Sequence, residues 1–76
     1  MTPITLAWIQ KAEADYWTVE RESHARKNPN YDGACFHAQQ CAEKYLKAML
    51  HEMGVTLPKT HDLAALLDLV LAKLPI

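Results

Sequence analysis

The run from Ala34 to Leu50 constrains the fold most, because its residues recur with the period of an α-helix and divide the helix into two different faces. One broad face is apolar and comprises Ala34, Ala38, Cys41, Ala42, Tyr45, Leu46, Met49 and Met53. A narrow polar stripe lies on roughly the other side and comprises His37, Gln40, Lys44, Lys47 and His51. We expect the apolar face to pack in a core and the polar stripe to face solvent, where it could bind an anion.

A first helix is predicted from about Ile4 to Ala25. Thr2 can cap its N-terminus, and Pro3 is favourable in the first turn because the N–H that it lacks would have no helical partner there. The acidic Glu13 and Glu20 are expected to reach solvent at the edge of the helix. Its apolar arc comprises Trp8, Ile9, Ala12, Tyr16 and Val19.

The segment from Arg26 to Gly33 is predicted to connect two antiparallel helices. Pro29 disfavours helical angles at Asn28, and the neighbouring Asn, Asp and Gly residues favour turns. Asp32 is predicted to cap the second helix, which continues to about Met53 and stops at Gly54. Glu43 and Lys47 are spaced for a favourable i,i+4 ion pair on that helix.

A third helix is predicted to begin at Thr60, with Asp62 in its first turn. Its apolar stripe comprises Leu63, Leu66, Leu67, Val70 and Leu74. No strand-like alternation or internal repeat competes with this interpretation. The sequence therefore predicts an all-α, antiparallel up-and-down bundle, with three helices in one domain that spans residues 1–76.

Size and composition limit what such a domain can do alone. A chain of 76 residues, 50% of them hydrophobic, has only a small core, and self-association would cover apolar surface that three helices leave open. The net charge of −1 gives no overall attraction to nucleic acid or to an acidic membrane. We expect a cytoplasmic protein without membrane contact, because neither a secretory leader nor an apolar run of about 20 residues is evident.

The second helix and the residues after it resemble the HEPN family, the "higher eukaryotes and prokaryotes nucleotide-binding" domains. The resemblance combines a long first helix, Tyr31 just before the second helix, the run from Phe36 to Ala48, and His61-Asp62-Leu63 at the start of the third. It implies a bundle that has four or five helices in the family and usually dimerises. It also implies a nucleotidyltransferase partner in a toxin–antitoxin-like pair, and a fourth helix that this chain would lack.

The ribonucleases of that family carry an Arg and a His separated by four to six residues, and this spacing is absent here. Arg21 and His24 are separated by two residues, and Arg26 and His37 by ten. We therefore predict no catalytic residues. A ribonuclease whose motif lies in a segment outside this chain remains the alternative, and a purely structural assembly protein is another.

The polar stripe is the candidate site. Lys44 and Lys47 would supply charge, and His37, Gln40 and His51 would supply directed hydrogen bonds to a nucleotide, RNA or other phosphate ligand. The alternative is that the stripe is only the solvated side of a helix.

The cysteines suggest no further chemistry. Cys35 and Cys41 lie six positions apart on one helix and cannot bridge, so both are predicted to be buried thiols. His37 and Cys41 provide only two potential zinc ligands, and no metal or cofactor is predicted.

Overall fold

Two long helices form an antiparallel hairpin, and a shorter third helix packs beside it. The computed structural model describes residues 1–25 and 30–73, which form α1 (Pro3–Ser23), α2 (Tyr31–Glu52) and α3 (Leu63–Lys73), with no strand among them. The predicted all-α bundle with three helices is therefore confirmed. Residues 26–29 of the predicted connection, together with Leu74 in the predicted α3 stripe, lie outside the described residues.

The ends of α1 follow the local signals in the sequence. The Thr5 N–H donates to Thr2 Oγ1 at 3.2 Å, which confirms Thr2 as the N-cap, and Pro3 occupies the first turn. The helix ends at Ser23, two residues before the predicted end. Boundaries of this kind differ readily by one or two residues, because the last turn of a helix has few partners.

The N-terminus of α2 differs from the prediction, because Asn30 and not Asp32 is the cap. The Gly33 N–H donates to Asn30 Oδ1 at 2.8 Å, and a Cβ added at Gly33 would lie only 2.5 Å from Asn30 Nδ2. A glycine at this position therefore leaves room for the capping side chain. Asp32 falls in the first turn, where its charge favours the positive end of the helix dipole.

The predicted stop of α2 is confirmed at its C-terminus. The last helical residue is Glu52, and Gly54 adopts the left-handed conformation with φ of 76°. The Gly54 N–H donates to His51 O at 3.0 Å, and the Val55 N–H donates to Leu50 O at 2.9 Å. These bonds satisfy carbonyls that the helix end would otherwise leave without partners.

The third helix begins later than predicted. Its first residue is Leu63, and the Ala64 N–H donates to Asp62 Oδ1 at 3.0 Å, so Asp62 is the capping side chain. Thr60 lies before the helix and accepts from the Asp62 N–H at 3.1 Å. The helix therefore begins three residues after the predicted start, because the Thr60 side chain forms a short turn that competes with helix formation there.

The apolar core lies between α2 and α3. Leu50 and Leu66 are completely buried there, and Val70 is almost so. Three half-buried hydrophobic side chains complete the cluster: Leu46, Val55 and Leu57. Among the described residues α3 contacts α2 but not α1, so the hairpin and α3 meet only through α2.

The two faces of α2 are reversed relative to the prediction. The polar stripe lies against α1, where Lys47 is 8% exposed, whereas Ala38, Ala42, Tyr45 and Met49 of the predicted packing face are exposed. Ala34 and Leu46 do pack, and Cys35 is exposed rather than buried. The reversal has a physical reason: α1 presents oxygen acceptors along its inner side, and these pair with the polar stripe.

Within the described residues, every helix is too short or too polar to span a lipid bilayer.

Candidate functional site

Asp15 is the centre of the contact between α1 and α2. The Asp15 side chain is only 11% exposed, and its carboxylate accepts hydrogen bonds from two residues of the polar stripe. His37 Nδ1 lies 2.9 Å from Asp15 Oδ1, and Lys44 Nζ donates to Asp15 Oδ2. A buried carboxylate is thus paired with a charged donor and with a ring N–H, which is the arrangement that makes such burial tolerable.

This environment changes the acidity of Asp15. Burial by itself raises the pKa of the carboxyl group, but the hydrogen bonds and charges of Lys44 and His37 together outweigh it, so the pKa is lowered from its ordinary value of 3.8. Asp15 therefore remains ionised in the folded protein at neutral pH. Its role in the folded state is that of a permanent anion between the helices.

A second buried carboxylate, Glu43, connects α2 to the segment before α3. Glu43 is 4% exposed, Lys47 Nζ lies 3.4 Å from its Oε2, and His61 Nδ1 lies 2.9 Å from its Oε1. The predicted i,i+4 pair of Glu43 and Lys47 is confirmed. The His61 side chain is 82% exposed, so it reaches Glu43 from the surface of the protein. This contact attaches the segment before α3 to α2.

Trp8 and Thr5 complete the inner side of α1. Lys47 Nζ lies 5.5 Å from the centroid of the Trp8 ring, and Lys11 Nζ lies 5.3 Å from it, both within the range of cation–π contacts. His51 Nδ1 lies 3.0 Å from Thr5 Oγ1. These contacts place the C-terminal end of the polar stripe against α1, and the bond from His37 to Asp15 places the other end there.

The structure therefore brings the five predicted site residues into one line, but this line is the seam of the hairpin. His37 and Lys44 pair with Asp15, Lys47 pairs with Glu43, and His51 pairs with Thr5, while Gln40 is half-buried among them. The two lysine charges are balanced by two carboxylates. We name this set the polar seam: His37, Gln40, Lys44, Lys47 and His51.

Asp15 is the polar-seam partner that was not predicted from the sequence, whereas Glu43 was predicted as the partner of Lys47 but not of His61. The sequence does contain a sign that Asp15 is buried, because helical spacing places it on the same side of α1 as Trp8, Ala12 and Val19. A carboxylate inside an apolar arc must be paired if that arc is buried. Its partners on α2 could not be identified from the first helix alone.

The part of α2 that neither α1 nor α3 covers is an exposed apolar surface, which we name the outer face. Tyr45 and Met49 in it are 40% and 41% exposed, and none of its members carries a charge. Successive members are three or four residues apart, so they form one stripe along the helix. The outer face comprises Tyr31, Cys35, Ala38, Ala42, Tyr45, Met49 and Met53.

An apolar groove continues the outer face onto α1. Its volume is about 400 Å³, and it lies between Ile9 of α1 and Tyr45 and Met49 of α2. Met1, Thr5, Ala48 and Glu52 line the remainder. The surface that is open for binding among the described residues is therefore apolar here, whereas the cations of α2 are engaged in the seam.

Cys41 lies at the edge of the seam and shows no sign of activation. Burial, followed by the charge of Asp15, raises the pKa of its thiol, which disfavours the nucleophilic thiolate. Among residues 1–25 and 30–73, no three His, Cys, Asp or Glu side chains are grouped to hold a metal ion.

Comparison with known proteins gives one match. The family model described as "HEPN domain" matches residues 5–76. Searches of curated proteins and of solved structures return no match. Because the family match covers nearly the whole chain and the fold is a helical bundle, this chain belongs to the HEPN domain family, a family of nucleotide-binding and RNase-type modules.

Proposed function

We propose that the chain is a non-catalytic HEPN module that works by binding a partner chain, and that this partner is a second copy of itself. The observation that supports the proposal most strongly is the orientation of α2. Its cations are paired within the hairpin, and its uncharged outer face is exposed. Exposed apolar surface of this extent is typical of an interaction site.

The size of the surface suits a homodimer. The 22 residues of α2 give a length of about 33 Å at 1.5 Å per residue, and the α1–α2 pair is about 20 Å wide. A contact that used the full width of the pair, on the order of 660 Å², would approach the roughly 800 Å² per partner of a standard stable interface. Because the groove extends the outer face towards Ile9, both helices of the hairpin would contribute to the contact.

Sedimentation equilibrium tests this proposal. The wild-type chain is expected to be a reversible dimer in the micromolar range, and Met49→Glu is expected to weaken the dimer by roughly ten- to a hundredfold, since it places a charge in an apolar contact. Leu69→Glu is the matched control, because Leu69 is exposed to a similar extent but lies on α3. A wild-type monomer at all concentrations would contradict the proposal.

The proposal that the module is non-catalytic is supported by the absence of the Arg and His spacing of the family's ribonucleases, and by the surroundings of His24. That ring is exposed, and its Nδ1 lies 3.3 Å from Glu20 Oε2, away from the polar seam. Incubation with single-stranded RNA should give no cleavage, with or without magnesium. Cleavage that His37→Ala or His61→Ala abolishes would refute this part.

The nucleotide-binding role of the polar seam stays a prediction, and the structure indicates its energetic cost. Phosphate would have to take Lys44 from Asp15 or Lys47 from Glu43, leaving a carboxylate without its cation. We therefore expect ATP to bind no more tightly than the millimolar range, about −4 kcal/mol, in the absence of another chain. Amide shifts confined to residues 37–51 and lost in Lys44→Ala would support binding there.

A nucleotidyltransferase partner is implied by the family resemblance and is a proposal of the same kind. It would compete with the second copy if it used the outer face. Adding such a protein to the homodimer and observing heterodimers by sedimentation would support it, whereas unchanged homodimers would argue against it.

A further inference from the structure

The outer face of α2 is uneven in side-chain size along its length. The half nearer the N-terminus is occupied by small side chains, Cys35, Ala38 and Ala42, after the single large Tyr31. The half nearer the C-terminus carries Tyr45, Met49 and Met53. Apolar surfaces associate best when large side chains meet small ones, because close packing leaves fewer voids.

Because of this asymmetry, parallel and antiparallel packing of α2 on α2 of a second copy would fill the contact differently. In a parallel pair, large residues would meet large ones at one end, and small residues would leave a gap at the other. In an antiparallel pair centred on Ala42, Cys35 and Ala38 of each copy meet the larger Met49 and Tyr45 of the other, and only the end residues Tyr31 and Met53 meet as two large side chains. Because a two-fold axis makes the contact self-complementary, both halves are then filled at once.

We infer that two copies associate through antiparallel α2 helices, with the two-fold axis at Ala42, so that Cys35 of one copy faces Met49 of the other. In this register Tyr31 lies opposite Met53, and the small Ala42 side chains meet at the centre, where they allow close approach of the helices. This inference rests on the proposed function, since it specifies the geometry of the same surface.

The charge pattern is consistent with this register. None of the seven outer-face residues is charged, so contacts among them desolvate no ion, and Glu52, which lines the adjoining groove, pairs with the Met1 amino group at 3.6 Å. The polar seam and α3 lie on the other sides of α2, against α1 and around the Leu50 core, and are not displaced. The α1–α2 hairpins of two copies would then form a four-helix centre with one α3 on each flank.

Thiol cross-linking tests the register. In a Cys41→Ser background, Cys35 is the only thiol, and Met49→Cys adds a second one. Cys35 and a cysteine at position 49 are about 21 Å apart along the same helix, far beyond the ~6.8 Å Cα separation that a disulfide allows, so any bridge between them joins two chains. We expect the double-thiol protein to form a covalent dimer on mild oxidation, with peptide mapping that shows position 35 linked to position 49.

The single-thiol protein is the control for orientation. Antiparallel packing places the two Cys35 residues about 21 Å apart, so it should give few covalent dimers. A protein with Cys35 and Leu69→Cys tests for random collision, because position 69 lies on α3. If Met49→Cys itself weakens association, the pair Tyr31→Cys and Met53→Cys, in a chain whose own cysteines are serine, reports the same register at the other end.

The outcomes distinguish this inference from the proposed function. Linkage of position 35 to 49, or of 31 to 53, supports the antiparallel register. Efficient linkage of Cys35 to Cys35 in a protein that sediments as a dimer overturns the register and leaves self-association intact. A monomer by sedimentation, with no cross-linking in any variant, overturns both.

Discussion

Asp15→Asn should destabilise the fold, because Asp15 is the acceptor on which two residues of the polar seam converge. Asparagine has nearly the same shape as aspartate and keeps one oxygen acceptor, so the substitution removes charge with little change in volume. Lys44 would lose its counter-ion, and the His37 ring would donate to a neutral acceptor instead of a charged one.

The expected size of the effect follows from these two contacts. A hydrogen bond to a charged group contributes about 1.5–3 kcal/mol, part of which a neutral acceptor retains. The Lys44 and His37 side chains are partly exposed, so water can replace some of what is lost, and the carboxylate no longer has to be desolvated. We expect the free energy of unfolding to fall by about 1–3 kcal/mol, a large part of the stability of a domain this small.

The pH dependence provides an independent check of the mechanism. Because the pKa of Asp15 is lowered in the folded state, its contribution to stability is fully present well above pH 3.8 and is lost as the pH falls through the folded pKa. The stability difference between wild type and Asp15→Asn should therefore be largest at neutral pH and should shrink below about pH 4.

Urea unfolding at several pH values, at one fixed protein concentration, measures both effects. Glu13→Gln is the matched control, since it removes one carboxylate from an exposed position of the same helix, and it should change stability by less than about 0.5 kcal/mol. The reasoning is refuted if Asp15→Asn is as stable as Glu13→Gln, or if its deficit is the same at pH 3 and pH 7.

Other substitutions test the remaining contacts. Leu50→Ala removes a completely buried side chain from the core beneath α3 and should cost about 2–5 kcal/mol, measured by urea unfolding. His61→Ala should cost only about 0.5–1.5 kcal/mol, because Glu43 keeps Lys47 as a partner, but it should increase amide exchange at the start of α3. Gly54→Ala should destabilise by about 1 kcal/mol in thermal melting, since φ there is positive.

The helices could be predicted from the sequence because their signals are local. Thr2 caps α1 and Gly54 ends α2 through contacts within a few residues. The wrong cap at α2 is also local in origin: Asn30 and Asp32 are both good capping residues, and the close fit of Asn30 against Gly33 distinguishes them only in three dimensions.

The direction in which α2 faces could not be predicted from α2 alone. An amphipathic helix normally buries its apolar side, but which side α1 covers depends on the groups that α1 presents. Asp15 and Thr5 present oxygen atoms, and these match the imidazoles and ammonium groups of the polar seam. Leu50, which lies outside the predicted apolar face, is buried because α3 covers a third side of the helix.

The rate of Cys35 alkylation, measured in the Cys41→Ser protein as a function of protein concentration, tests most directly whether a second copy covers the outer face of α2. Cys35 is exposed in the single chain, so a maleimide should modify it rapidly in dilute solution. The account predicts that the rate falls as the concentration rises through the range in which the dimer forms, and that Met49→Glu restores the fast rate. A rate that stays constant while sedimentation shows a dimer would contradict the account, because the chains would then be associating through another surface.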